Sequence, residues 1–213
     1  MALRLNGQTT GYTELNAPDN GDSVVLTMPG TDGNAGEYLQ TNGSGTLSWQ
    51  TIATPTDTNL TRGTNVASTS GVAVQFTGIS SDVKRITLAL NEVSANGNSA
   101  HWIQIGDSGG FETTGYLGGV VYTGPGTSSA SNTAGWEYNL PNDASTFSGH
   151  ITVSNPTGNV WVMSGIVYRS NDGYGWIFAG SKTLSGTLDR IRLTTASGSD
   201  TFDAGNVNIF TEV

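Results

Sequence analysis

The stretch Val83-Lys84-Arg85-Ile86-Thr87-Leu88-Ala89-Leu90-Asn91-Glu92-Val93, VKRITLALNEV, decides the fold class. Ile86, Leu88 and Leu90 fall on one side of an extended chain, and Arg85, Thr87 and Ala89 fall on the other, which is the period of a half-buried strand. The same alternation appears upstream in VAVQFTGI (72–79), where Val72, Val74 and Phe76 share a face, and downstream in DRIRL, where Ile191 and Leu193 alternate with Arg190 and Arg192. Between them lie HWIQIG, TTGYLGGVVYT, FSGHITVS, VWVMSGIVYRS and YGWIFAGS, and NVNIFTE closes the series. Helical periodicity is missing. About nine strands separated by Gly-, Ser- and Asn-rich turns predict an antiparallel two-sheet sandwich of jelly-roll type over residues 65–213.

Residues 1–52 read differently. Short apolar runs at Leu3 to Leu5, Val24 to Met28, Tyr38-Leu39 and Leu47 to Trp49 are separated by turn signals at Asn6-Gly7, Asp19 to Gly21, Asp32 to Asn34 and Asn42 to Gly45. The segment is expected to form hairpins, the clearest being EYLQTNGSGTLSWQT, with Leu39 and Leu47 or Trp49 available for burial. A module of this size with so few large apolar residues needs copies of itself to cover its faces and strand edges. Residues 53–64 are polar, contain Pro55 and lack any apolar period, so a linker is expected there. The expected architecture is therefore all-β: a small hairpin module followed by a β-sandwich.

Composition excludes several functions. The chain has 213 residues, a net charge of −9 and only eight Lys plus Arg, without a basic run, which argues against a nucleic-acid partner. No apolar stretch approaches the ~18 residues of a membrane span, and the opening MALRLNGQTT lacks the apolar core of a signal peptide. Neither membrane insertion nor export by that route is expected. Cysteine is absent, so disulfides, thiolate metal sites and cysteine nucleophiles are excluded.

Gly106-Asp107-Ser108-Gly109-Gly110-Phe111 imitates the GDSGG run around the nucleophile of chymotrypsin-like proteases. A serine nucleophile needs a histidine base within hydrogen-bond reach and a carboxylate to orient it. Only His101 and His150 exist; the first lies on the strand leading into the motif and the second follows it. The expected structure is a turn in which Asp107 and Ser108 bond locally and Gly109-Gly110 reverse the chain, so no catalytic residue is assigned. Asp19, Asp22, Asp32 and Asp172 stand singly in glycine turns without the alternating ligands of a calcium loop, so no metal or cofactor is assigned. Trp161 and Trp176 sit inside strand patterns and are expected in the core. Trp136 and Tyr138 lie beside the long polar stretch GPGTSSASNTAGWEYNLPNDAST and are the candidates for stacking on a glycan.

The series LRLNG, GYTELNAPDNGDSVVLTMPG and GNAGEYLQTNGSGTLSWQT over residues 3–52 resembles a module of tail-fibre and other surface proteins of tailed bacteriophages, notably those of aquatic bacteria including cyanobacteria. QFTGI, VKRITL, IQIGDSGGFETTGYLG, AGSKTLSGTLDRIRLTT and DTFDAGNVNIFTE, over residues 65–212, resemble a domain of the same kind of protein, in which GDSGG is an internal turn. The likeness departs at the front, where the hairpin module begins without the longer tail-attachment region of full tail fibres. It implies a non-enzymatic virion-surface protein, assembled in the host cytoplasm. The implied form is a homotrimeric tail fibre joined to other virion proteins and displaying a sandwich toward host cell-surface polysaccharide. Capsid decoration or a head fibre is the alternative, and a polysaccharide depolymerase or esterase is the enzymatic rival.

Overall fold

The computed structural model describes residues 3–6, 12–15, 25–52, 59–123, 128–138, 144–171 and 173–213. The described residues are all β, and the chain divides into two compact units, Met1–Thr56 and Asp57–Val213.

In the first unit, β1 (Leu3–Asn6) pairs antiparallel with β2 (Tyr12–Leu15), and β3 (Glu37–Thr41) pairs with β4 (Leu47–Thr51). The NGSG turn closes the second hairpin because Gly43 and Gly45 take φ of +83° and +87°, and the Asn42 Oδ1 accepts the Ser44 N–H at 2.8 Å. Register sets Leu39 opposite Trp49. The Trp49 ring lies over Gly33, where a Cβ would be only 2.6 Å from it, and its Nε1–H donates to the Thr31 carbonyl at 2.8 Å. Among the described side chains of this unit none is buried, and Val25 and Ile52 are 76% and 70% exposed.

The second unit holds two sheets. The smaller follows the order β10 (Gly110–Phe111), β9 (His101–Asp107), β17 (Leu188–Thr195), β7 (Ala73–Thr77), with β13 (Trp136–Tyr138) also on β9. The larger runs β12 (Ser128–Ala130), β11 (Leu117–Thr123), β16 (Gly175–Thr183), β15 (Val160–Arg169), β14 (Phe147–Thr157), β8 (Arg85–Ala95), β18 (Phe202–Glu212), β5 (Leu60–Arg62), with β6 (Val66–Ala67) also on β18. All strand pairs in these sheets are antiparallel. The sheets are unequal, five strands against nine. Residues 60–62, placed in the linker by their polarity, instead form β5 on the edge of the large sheet. Backbone bonds to β18 hold this edge strand, so its side chains need carry no apolar alternation.

The sheets pack as a sandwich around one core. Ile86, Leu88 and Leu90 of β8 point into it, as their alternation requires, with Ile151 and Val153 from β14, Trp161, Met163 and Val167 from β15, and Ile103, Ile105, Ile191 and Leu193 from the small sheet. Aromatic contacts join the layers: the Tyr138 ring stacks at 5.8 Å on Phe178, and His101 meets Phe147 edge to face at 5.6 Å. Gly165 lies opposite Phe178, and its missing side chain is the space the Phe178 ring fills.

Candidate functional site

The GDSGGF segment folds as a tight hairpin. Gly110 pairs with Asp107 and Phe111 with Gly106, so Ser108 and Gly109 form the loop, and the Asp107 Oδ1 accepts the Gly109 N–H at 2.8 Å. That bond and one from the Ser185 hydroxyl hold the Asp107 carboxyl below its usual range. His101 begins β9, seven residues before Ser108, which a rise of ~3.3 Å per residue converts to roughly 20 Å. Its ring is buried, with Nδ1 at 3.2 Å from the Tyr138 hydroxyl, and burial pushes its pKa down to about 4 despite the Asp200 charge. His150 sits on the exposed face of the other sheet. Neither histidine is placed to serve Ser108.

Just after the hairpin, a polar cluster ties the layers together. Glu112 pairs with Lys182 of β16, a side chain only 7% exposed. The Ser185 N–H donates to the Glu112 Oε1 at 2.7 Å. Burial pushes the Glu112 carboxyl up, but the bonds from Lys182 and Ser185 outweigh it and hold the group low. The Tyr116 hydroxyl accepts the Ile105 N–H at 2.8 Å and faces the Glu112 carbonyl at 3.0 Å, and burial pushes the phenol well above its usual range. Each polar atom here is spent on another, which is the arrangement of a brace between sheets.

Trp136 and Tyr138 lie in β13, and the structure corrects their expected role. Trp136 is 2% exposed and Tyr138 0%, so their rings are covered by the core and present no face to a sugar. The Trp136 indole packs edge to face on Tyr116 at 5.2 Å and rests on Gly118 and Gly180. A strand of three residues, paired with β9 and bounded by polar chain, carries no periodic signal of burial. Among the described residues no group of three or more His, Asp or Glu side chains is placed to hold a metal ion; Asp19, Asp22 and Asp172 lie outside them.

Most of the exposed large apolar side chains described in this unit lie on the outer face of the large sheet. Register builds it in rows across β11, β16, β15 and β14: Leu117, Ser181, Val162, Ser154; then Gly119, Ala179, Ser164, Thr152; then Val121, Ile177, Ile166, His150; then Thr123, Gly175, Tyr168, Ser148. Ile166 and Ile177 are 65% and 56% exposed. Beside them lies an open depression of about 620 Å³ lined by His150, Thr152, Ser164, Tyr168 and Ala179. A sequence signal for this face existed. VWVMSGIVYRS is apolar at both parities, with Val160, Val162, Ile166 and Tyr168 on one side and Trp161, Met163 and Val167 on the other. Such runs mark strands covered on both faces. Compared with family models, curated proteins and solved structures, the chain finds no significant match.

Proposed function

We propose that this chain is a non-enzymatic structural protein of the virion surface of a tailed bacteriophage, a homotrimeric fibre whose first unit joins copies to the particle and whose sandwich is displayed outward. The resemblance of residues 3–52 and 65–212 to phage fibre modules supplies the setting. The observation that carries the reading is the state of the first unit: none of its described side chains is buried. Ordering each residue costs ~1–2 kcal/mol of backbone entropy, and no buried side chain among the described residues offsets it, so those residues have to gain their stability from surfaces they meet on association. Copies of the chain and a shell or tail protein are such surfaces.

Immunogold labelling of phage particles with antibody to the chain tests this proposal. Label at the tail tip supports the fibre, label spread over the capsid supports the decoration or head-fibre alternative, and unlabelled particles overturn both. Incubation with host polysaccharide checks the enzymatic rival, because a binding protein retains the polymer intact whereas a depolymerase or esterase releases product. With Trp136 and Tyr138 in the core, polysaccharide binding falls to other side chains, and Trp136→Ala is expected to alter stability before it alters adsorption.

A further inference from the structure

We infer that the outer face of the nine-stranded sheet is a self-association surface, on which the same face of a second copy of this chain docks sheet against sheet. This holds whether or not the chain belongs to a phage particle. Three features of the face select that occupant.

Size is the first. Leu117, Val121, Val162, Ile166, Tyr168 and Ile177 are between 41% and 67% exposed. At ~200 Å² for a full-sized side chain they present on the order of 600 Å² of apolar surface, the upper end of what a monomer leaves open. With the small and hydroxyl side chains between them, the face approaches the ~800 Å² that each partner buries in a stable interface.

Relief is the second. Val121, Ile177 and Ile166 form a ridge across β11, β16 and β15, and the adjacent row, Gly119, Ala179 and Ser164, is a trough of small residues. A two-fold rotation sets the ridge of one copy into the trough of the other, which is the self-complementarity an isologous contact requires. Sheets pack this way at a separation of ~10 Å.

Charge is the third. The chain carries a net charge of −9, so two copies repel unless the contact excludes acidic groups. The four rows hold no Asp, Glu, Lys or Arg, and His150 is their one imidazole. The charges stand at the margin: Arg85 pairs with Glu212 beyond β14, and Glu92 accepts from the Ser148 hydroxyl at one corner. An uncharged centre with a charged rim is the anatomy of a protein interface. Aliphatic side chains dominate its relief, whereas a polysaccharide surface would need more aromatic rings and fixed polar groups.

Velocity sedimentation of the full chain across micromolar concentrations tests the inference. Wild type is expected to associate, and Ile166→Asp or Ile177→Asp to raise the dissociation constant at least ~100-fold, because each buries an unpaired charge in the contact. The sites are exposed, so far-UV circular dichroism of both variants should match wild type. A second arm adds no charge and separates this face from any association through the first unit. The chain lacks cysteine, so Ile166→Cys, Ile177→Cys and Val121→Cys each report one position. At least one is expected to be joined to its counterpart by a short bis-maleimide crosslinker, at least ~10-fold faster than Gln75→Cys on the outer face of the small sheet, because the ridge-into-trough contact offsets identical positions by one row. Identical sedimentation of wild type and both Asp variants, or crosslinking no faster than that of Gln75→Cys, overturns the inference. So does a monomeric wild type whose face binds host polysaccharide and loses that binding in the Asp variants.

Discussion

His101 shows how one buried side chain sets a response to pH. Unfolded, its ring takes a proton near pH 6.5, whereas in the fold burial among Tyr138, Phe147 and Phe202 delays protonation to about 4. Its contribution is therefore complete above pH 6.5 and is lost as pH falls toward 4, a change of ~3 kcal/mol. The carboxylates held low, such as Asp107 and Asp200, add their own losses only below their unfolded range near 4. Urea midpoints measured from pH 7.5 to 4.5 should decline in wild type, and the decline should flatten in His101→Phe. Trp136 makes a different prediction at the same scale. Trp136→Ala should cost about 3–5 kcal/mol in denaturant unfolding, the penalty for emptying a large aromatic site. Gly180→Ala should destabilise by about 1–3 kcal/mol, since an added Cβ meets the Leu117 carbonyl oxygen at 2.2 Å and the Trp136 ring at 2.7 Å.

Among the elements, β8 and β18 form a long pair toward one edge of the large sheet, and they are bent by bulges. Register shifts flank Ala204, Gly205 takes φ of +87°, and Glu92 opposite it takes φ of +50°, in the left-handed region. The Ser148 Oγ accepts the Glu92 N–H at 2.9 Å, satisfying a donor the bulge removes from the ladder. Gly205→Ala should be strongly destabilising, because its Cβ would lie 2.3 Å from the Glu92 carbonyl oxygen. Between layers, the Lys182–Glu112 pair joins β16 to the chain after β10. Lys182→Met alone should cost about 1–3 kcal/mol by leaving the Glu112 carboxylate with only the bonds from Ser185, and adding Glu112→Leu should recover much of that loss in thermal melts. Sequence alternation located β7, β8 and β17 because each has one dry face. It missed β5 and β13, three-residue strands held by backbone pairing or by a single packed ring, where no period has room to repeat.

At the scale of the whole molecule, the two units differ in how they hold together. The sandwich has a continuous core, whereas the first unit has no buried side chain among those described. Residues 57–213 expressed alone should therefore melt in one cooperative transition with an unchanged midpoint. Any transition of the first unit in the full chain should move with protein concentration, as stability drawn from a partner must. The sequence by itself determined the all-β class, the hairpin at NGSG and the turn at GDSGGF, because these follow from period-two alternation and from the conformations that glycine and Asx residues favour locally. Tertiary structure decided which faces are covered. Alternation tells that a strand has two sides, but only the stacking of the sheets puts Trp136 and Tyr138 inside and leaves Ile166 and Ile177 outside. Burial is a property of what lies opposite, and no residue carries that information alone.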